Sequence, residues 1–548
     1  MSSNWRADVQ GLRAVAVGLV IAGHAGLSGF EGGFVGVDVF FVLSGFLITT
    51  LLLRETDRSG RVSISQFYAR RARRILPAAT ATMLVVLTYS AIVLPQTRTD
   101  QIAGDAGWAA VFLANVHFAR EAVDYFNNAA PSPFQHYWSL SVEEQFYVVW
   151  PLLVLAVALW IPKHHRRRAI TALAALVAVV SLAWSLHATG PDPTTAYFST
   201  PARAFELAAG ALLACVAGRL TSIKRPYAAA LGFAGVGTLV YATTNFSEAT
   251  HFPGWHALVP VAGTVALLVA GPATPTGKLL SKQPFRYLGD ISFSLYLWHW
   301  PILILAPEAI PGGGVRELLI MLALILVASA TSYHAIEMPF QRHKIPHLTK
   351  GRRALALWPA AAALALVAGT SSQAYAGYQV DVAKANAEEW FKENPDVLET
   401  DDKPVTKVLK TTVKAARDGV STEEQWREGV RDGVRSFEKI TPDVRVFADV
   451  PSVDDDPGEC LSDARNLLED CVVKADGTEV DSNEVTQDAL QGTEAAYVDI
   501  VDLVCTERCP LVVGDVVTYY DDSHITATWV DRVTPALGKR LGRLDRPA

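Results

Sequence analysis

Three ionisable side chains lie in the first two apolar runs of the chain, where a charged group is costly. Arg13 and His24 lie in the first run, and Asp38 lies in the second. An ionisable group kept inside a membrane-spanning segment usually has a function. Arg13 and His24 are eleven residues apart, which is close to three turns of an α-helix. Both are therefore predicted on one helix face, about 16 Å apart along the axis.

His24 and Asp38 are predicted at similar depth if the two runs pack as an antiparallel hairpin around a Gly-rich turn near 31–33. A histidine beside a carboxylate can act as a general base, because the acid fixes the tautomer and stabilises the charged imidazole. The alternative is a polar pair that only holds the two helices together. Three small residues would let these helices approach closely: Gly33, Gly36 and Gly45.

Later apolar runs carry polar side chains of the same kind. Arg203 and Glu206 are three residues apart, on one face of a helix. Each group could be a buried ion pair or an interfacial belt, but together they indicate a polar cavity that opens towards the outer side. Besides Arg203 and Glu206, the polar side chains in these later runs are Glu143, Glu144, Gln145, Ser292, Ser294, Tyr296 and His299.

Four arginines fall within five residues at 70–74, namely Arg70, Arg71, Arg73 and Arg74. Such a cluster can act as an orientation signal that contacts lipid headgroups. The alternative is a binding site for a phosphorylated donor, since the guanidinium fork matches phosphate.

The composition indicates a polytopic membrane protein. The chain has 548 residues, of which 50% are hydrophobic and 19% charged, with a formal net charge of −7 and a mean hydropathy of +0.22. About eleven apolar runs meet the length of a spanning helix. They lie near 10–28, 35–53, 75–94, 138–161, 169–187, 199–217, 227–243, 256–272, 287–307, 316–336 and 354–376. The segment 102–118 is predicted as an outer-face or re-entrant element, because Asp105, Asn115 and His117 interrupt it.

The charges of the loops predict the topology. Lys and Arg crowd alternate loops, so the positive-inside rule places the N-terminus in the cytoplasm. An odd number of spans then places the polar tail outside the cell.

The cysteines of the tail agree with that topology. Four cysteines at short separations indicate two disulfides in an oxidising compartment, and zinc is the alternative. Three pairings are open, of which Cys460–Cys471 with Cys505–Cys509 is the simplest. Helical runs and β-like runs after residue 378 predict a small α/β domain.

Five blocks of the first part closely resemble the membrane acyltransferase-three family of bacterial O-acylases. They are QGLRAVAVGLVIAGHA, GGFVGVDVFFVLSGFLIT, FYARRARRILPA, HYWSLSVEEQFYVVWP and YLGDISFSLYLWHWPI. The resemblance covers about residues 5–345. It implies transfer of an acyl group, often acetyl, from cytoplasmic acyl-coenzyme A to a hydroxyl of an extracytoplasmic glycan such as O-antigen or peptidoglycan.

The resemblance also implies roles for single residues. Arg13 and His24 match the family's Arg-x10-His motif, with His24 as the base. Arg71 and Arg74 match its Arg-x-x-Arg motif, with the donor as the implied ligand. Further positions of the family's motifs match Asp38, Glu144, Arg203, Glu206 and Tyr296.

The end of the tail resembles the last block of the SGNH-hydrolase-like domain that is often fused to these acylases. Asp521 and His524 match that family's Asp-x-x-His. The chain departs from the pattern because neither the Gly-Asp-Ser block of the nucleophile nor a GxND block occurs in it. A His–Asp pair without its serine cannot run the usual acyl-serine mechanism, so the tail is interpreted as a partial, non-catalytic SGNH-like domain.

Together these observations predict an all-α polytopic bundle in the cell membrane, at 5–345, with an additional transmembrane helix at 346–377. An extracytoplasmic domain follows at 378–548.

The predicted function is O-acyl transfer, with Asp38 or Glu144 as the acidic partner of His24. Arg71 and Arg74 would bind the donor, with Arg13 along the route between them and His24. Arg203, Glu206, Tyr296 and His299 are assigned to the substrate or the cavity. The expected partners are acyl-coenzyme A, a glycan or lipid-linked sugar and membrane lipids, without a bound cofactor, metal or nucleic acid. The alternatives are a transporter of acyl groups or glycolipids and a non-catalytic scaffold with a glycan-binding tail.

Overall fold

The computed structural model describes most of the first 393 residues and short stretches of the tail. The described residues are 6–60, 62–94, 96–121, 131–220, 223–247, 249–307, 314–342 and 351–393, followed by 427, 430–431, 434–435, 445–447, 472–474, 485–493, 495–498, 500–501, 508–510, 512–513 and 516–517.

The first part of the chain is helical. Short 3₁₀ helices occupy Gly33–Val35 and Gly351–Ala356, and a π-helix occupies Tyr333–Glu337. The α-helices are α1 (Ala7–His24), α2 (Gly36–Ser59), α3 (Ile64–Val93), α4 (Gln96–Ala110), α5 (Ala114–Glu121), α6 (Tyr137–Trp160), α7 (Lys163–Thr189), α8 (Pro193–Phe198), α9 (Thr200–Leu220), α10 (Arg225–Asn245), α11 (Leu258–Ala270), α12 (Pro275–Leu280), α13 (Phe285–Asp290), α14 (Ser292–Leu305), α15 (Gly314–Ser332), α16 (Met338–Gln341) and α17 (Leu357–Glu393).

Within the described residues, eight helical segments are long and apolar enough to cross a membrane. They are Gly33–Ser59, Ile64–Val93, Tyr137–Trp160, Lys163–Thr189, Thr200–Leu220, Arg225–Asn245, Gly314–Gln341 and Gly351–Tyr378. The other three predicted spans coincide with the shorter or more polar helices α1, α11 and α14. The helical membrane class is therefore confirmed, and the count of eleven spans stays a prediction.

The segment 102–118 forms two short helices rather than a span. The α4 helix has 15 residues and α5 has 8, so each is shorter than the roughly 20 residues that crossing requires. The chain bends between them at Phe112, whose φ is +57°.

The α1–α2 hairpin packs as closely as its glycines suggest. A Cβ atom on Gly33 would lie 2.2 Å from the carbonyl oxygen of Leu19, and one on Gly36 would lie 2.3 Å from that of Ala16. Gly45 serves a different contact, since its Cβ would lie 1.8 Å from the carbonyl oxygen of Leu207 on α9. The predicted close approach of α1 and α2 is thus confirmed at Gly33 and Gly36, whereas Gly45 brings α2 against α9.

The core of the bundle lies between α1, α2, α9, α10 and α11. Apolar side chains from these helices form one buried cluster, which includes Val39, Leu43, Phe205, Leu213, Leu239 and Leu267. The α2 helix contributes Val39, Val42, Leu43 and Phe46 to this cluster, so its first half packs into the core.

Residues 90–100 and 372–548 form a second compact unit. Its described strands form three pairs: β1 (Arg445–Phe447) with β3 (Ala496–Val498) in parallel, β2 (Val472–Lys474) with β4 (Arg508–Pro510) antiparallel, and β5 (Val512–Val513) with β6 (Val516–Val517) antiparallel. The predicted α/β class of the tail stays a prediction. Cys460, Cys471, Cys505, the side chain of Cys509, Asp521 and His524 lie outside the described residues, and so do the predicted disulfides and SGNH-like pair.

Candidate functional site

A large basic cavity follows α2 through the bundle. Its volume is about 1530 Å³, above the range of roughly 300–1,000 Å³ that is common for ligand pockets. The α2 helix lines it from Val37 to Ser59, which corresponds to about 33 Å of helix. Eight arginines line it, against the three acids Glu55, Asp57 and Glu143; the arginines are Arg6, Arg13, Arg54, Arg58, Arg70, Arg71, Arg74 and Arg167. Such a surface favours an elongated anion.

Arg71 is held firmly at the wall of this cavity. Its Nη2 lies 3.2 Å from Oε1 of Glu144, and its guanidinium lies 3.8 Å from the ring centre of Tyr147. Its Nε is buried without a hydrogen-bond partner in the described chain, while the side chain as a whole lines the cavity. Arg74 lines the same cavity one turn further along α3, and the assignment of both arginines to the donor stays a prediction.

Glu144 therefore has a different role from the predicted one. It was expected as an acidic partner of His24, but its ion pair is with Arg71. The neighbouring Glu143 lines the cavity and accepts hydrogen bonds from Ser44, at 2.7 Å, and from Tyr147, at 3.3 Å. Both acids thus orient groups at the cavity wall.

Arg13 lies on the route between the arginine cluster and the other end of α2. Its Nη1 donates to Oε1 of Gln10 at 3.1 Å, and the Gln10 amide donates to Asp290 at 2.9 Å. This arrangement leaves Arg13 on the cavity surface, and its predicted place on a donor route stays a prediction.

The cavity reaches Tyr296 and Ser139, where a compact group of hydrogen bonds is found. The Tyr296 hydroxyl donates to the backbone carbonyl of His136 at 3.0 Å. The Tyr296 and Ser139 hydroxyls share a 2.6 Å hydrogen bond, and Ser139 also lies 3.4 Å from the His136 carbonyl oxygen.

His24 is connected to this end of the cavity through one buried histidine. The Tyr296 and His299 rings lie 5.3 Å apart, and Nε2 of His299 lies 3.1 Å from Nδ1 of His24. His299 is fully buried, whereas His24 is exposed at the end of α1. We refer to Tyr296, His299 and His24 as the connecting row. Tyr296 lines the cavity, as expected, but His299 does not.

Asp38 is not the partner of His24. It lies 3.5 Å from Arg203, which also lies 3.3 Å from Glu206, and all three side chains are fully buried. No hydrogen bond or ion pair joins His24 to Asp38 among the described residues, so that prediction is wrong. Equal depth along two helices does not make side chains face each other, and the buried guanidinium of Arg203 attracts the Asp38 carboxylate instead.

The Arg203 cluster is enclosed by aromatic rings. Four ring centres lie 5.0–5.6 Å from its guanidinium carbon, those of Phe41, Trp138, Tyr197 and Phe252. Arg203 and Glu206 do not line the described cavity, contrary to expectation. Their placement indicates a structural role between α2 and α9.

Sequence reasoning missed two buried residues near these groups. Glu337 ends the π-helix, accepts a hydrogen bond from Ser294 and interacts electrostatically with Arg74 and Arg13. An acid in an apolar helical segment was the available signal. His136 is buried against the rings of Tyr296 and His299, each 5.6 Å away, and its place just before α6 gave no such signal.

The turn that follows His24 carries one exposed acid, Glu31. Its carboxylate accepts the backbone N–H of Gly29 at 3.1 Å. Backbone hydrogen bonds from Glu31 itself and from Gly29 lower the pKa of this carboxyl group. A negative charge is therefore kept near the exposed end of α1.

Comparison with known proteins identifies two regions. Residues 6–334 match the family model of the acyltransferase domain Acyl_transf_3. Residues 352–539 match the model of the SGNH domain that is fused to such domains.

Three similar proteins illustrate the relationship. The peptidoglycan O-acetyltransferase OatA of Listeria monocytogenes is 33% identical over 358 residues, which cover 63% of this chain and 57% of that protein. The putative peptidoglycan O-acetyltransferase YrhL of Bacillus subtilis is 33% identical over 347 residues, covering 61% and 54%. The O-acetyltransferase OatA of Staphylococcus aureus is 30% identical over 371 residues, covering 65% and 60%. The match thus spans less than two thirds of each relative. No solved structure matches the chain.

Proposed function

The chain belongs to the Acyl_transf_3 family and also carries the SGNH domain that is fused to such domains, and from this premise we propose that it transfers an acetyl group to a hydroxyl of a cell-wall glycan. The observation that carries the proposal is the arginine-lined cavity, which follows α2 for about 33 Å. One end of this cavity is connected to the exposed His24 through Tyr296 and His299.

The donor that best suits this cavity is acetyl-coenzyme A. It carries its phosphates at one end of a long arm and its thioester at the other. Arg71 and Arg74 would bind the phosphates, and Arg13 would line the middle of the route. The thioester would then lie near Tyr296 and Ser139.

His24 would act as the general base. The glycan hydroxyl gives its proton to the His24 imidazole while its oxygen attacks the thioester carbonyl carbon, the C–S bond breaks, and the departing thiolate takes up the proton. Tyr296 and His299 lie between the cavity and His24 in the described conformation, so the acyl end of the donor must pass this row for the two reactants to meet.

The orientation in the membrane follows from the charges. Arg54, Arg58 and Arg70 lie at the end of the cavity distant from His24 along α2, and the positive-inside rule favours the cytoplasm for that end. His24 and the SGNH domain would then face outwards, where the glycan is. Peptidoglycan is the favoured acceptor, because two relatives carry that substrate in their names.

The test uses the full-length protein in lipid vesicles, with acetyl-coenzyme A outside or inside and a soluble peptidoglycan fragment on the opposite side. Mass spectrometry measures acetylation of the fragment. We expect His24→Ala to lose transfer, with His187→Ala as a matched control, because His187 is exposed at the end of another helix. Full transfer by His24→Ala would overturn His24 as the base, and absence of transfer by the wild type to any surface glycan would overturn the acyltransferase proposal.

A second candidate function is transport of an acyl group or glycolipid. A charged cavity that follows most of a spanning helix also suits a transport path. The vesicle assay separates the two, because a transporter would move the labelled acyl group across the membrane and leave the fragment unmodified. A non-catalytic scaffold would do neither.

A further inference from the structure

We propose that His299 is a positioning residue, which holds His24 in the tautomer with the proton on Nδ1 and the basic lone pair on Nε2. The inference rests on the proposed role of His24 as the base. In this proposal the imidazole of His299 takes the place of the carboxylate that was expected beside His24.

The hydrogen bonds of His299 determine its own tautomer. Its Nδ1 lies 2.7 Å from the backbone carbonyl oxygen of Tyr296, one turn earlier in α14. A carbonyl oxygen has no proton to give, so Nδ1 of His299 must be the donor. A neutral imidazole has a single N–H, and Nε2 of His299 therefore carries the lone pair.

A neutral His299 is what the surroundings favour. The ring is fully buried, and in the described chain no acid is bonded to it. Its titratable neighbours are His24, His136 and Tyr296, with ring centres 5.3–5.6 Å away. A charge on His299 would therefore be desolvated without a counter-ion, which is costly.

The tautomer of His24 follows from the same argument. Its Nδ1 lies 3.1 Å from Nε2 of His299, and because the latter is an acceptor, the former must donate. The two rings are nearly parallel, at 3°, and Trp300 packs edge-on to His24 with 4.6 Å between centroids. The orientation of the His24 ring is thus fixed on two sides. Its Nε2 has no hydrogen-bond partner among the described residues, so it is available to an acceptor hydroxyl at the exposed end of α1.

This arrangement provides what a base needs without a buried negative charge. A base acts only through the nitrogen that lacks a proton, so an imidazole in the wrong tautomer is inactive towards the hydroxyl. When His24 takes the hydroxyl proton on Nε2, its Nδ1–H bond to His299 becomes charge-assisted and stronger. The backbone carbonyl of Tyr296 anchors the pair.

The experiment compares His299→Phe with His299→Gln in the full-length protein. Phenylalanine keeps a flat ring but cannot accept a hydrogen bond, whereas the glutamine amide oxygen can reach the place of Nε2. We expect the Phe variant to lower kcat about 100-fold, within the usual contribution of acid–base catalysis, and Gln to recover most of that loss. KM for acetyl-coenzyme A should change less than about twofold in both variants, because neither alters a residue that lines the cavity and uniform binding is retained.

Nitrogen-15 NMR of histidine-labelled protein in bilayers reports the tautomer without reference to turnover. The His24 signals are identified by their disappearance in His24→Ala. In the wild type we expect a protonated Nδ1 and an unprotonated Nε2, and in His299→Phe a mixture of tautomers. A wild-type His24 with its proton on Nε2 would overturn the inference even if the variants fail to fold, and so would a Phe variant with unchanged kcat or a Gln variant as inactive as Phe. If His24→Ala retains transfer while the wild-type tautomer is as expected, the proposed catalytic role fails and the positioning contact stands.

Discussion

Replacement of Arg71 tests the cavity as the donor site. Arg71 lines the cavity and combines an ion pair with Glu144 and a stack on Tyr147. A hydrogen bond to a charged group contributes about 1.5–3 kcal/mol, and each 1.4 kcal/mol is about tenfold in binding. The remaining seven arginines of the cavity partly compensate for the lost binding free energy. We therefore expect Arg71→Met to raise KM for acetyl-coenzyme A about 10- to 100-fold.

Loss of Arg71 alone also leaves Glu144 buried without its cation, which costs about 3–5 kcal/mol of stability. The double variant Arg71→Met/Glu144→Gln removes both charges and should recover most of the thermal stability. It should retain the raised KM, because the donor ligand is still missing. Arg225→Ala is the matched control, since Arg225 is exposed and lies away from the cavity.

The assay is release of the coenzyme A thiol by purified full-length protein, together with thermal unfolding of each variant. A double variant with wild-type KM would refute the assignment of Arg71 to the donor. An equal rise in KM for Arg225→Ala would refute it as well, because the effect would then come from net charge rather than from the site.

Three further predictions concern packing, the buried cluster and the tail. Gly45→Ala should lower the unfolding temperature, because its Cβ would lie 1.8 Å from a carbonyl oxygen, whereas Gly18→Ala, with open space around it, should not. Arg203→Met should destabilise the protein by about 3–5 kcal/mol in chemical unfolding, because it leaves the buried carboxylates of Asp38 and Glu206 without their cation. A change below about 1 kcal/mol would contradict an ionised pairing of Arg203 with these two acids. Asp521→Asn/His524→Ala should leave glycan acetylation within about twofold of wild type by mass spectrometry, because an SGNH pair without a serine cannot form the acyl-enzyme, and loss of acetylation would show that the tail is catalytic.

The sequence was most informative about features that depend on one helix at a time. Runs of apolar residues predicted the eight helices that are long and apolar enough to cross a membrane, because length and hydropathy are properties of a single segment. The spacing of Gly33 and Gly36 likewise predicted close packing of adjacent helices, which occurs at Leu19 and Ala16. The arginines at 70–74 could be assigned to one helix end in the same way.

The sequence was least informative about contacts between helices distant in the chain. Asp38 was expected beside His24, yet its partner Arg203 is 165 positions away on α9. His299, which does contact His24, is 275 positions away. A single chain gives the depth of a side chain in the membrane but not the direction it faces around the helix axis, so polar partners cannot be matched by depth alone.

The connecting row has a second consequence, for the insulation of the membrane. A basic, water-accessible cavity that follows about 33 Å of helix is as long as a hydrocarbon core of about 30 Å. If it were open at both ends it would conduct salt and protons and dissipate the ion gradients of the cell. Tyr296 is bonded to Ser139 and to the His136 carbonyl and lies between the cavity and His24. We therefore expect the same side chains that would bring donor and base together also to close the cavity at this end.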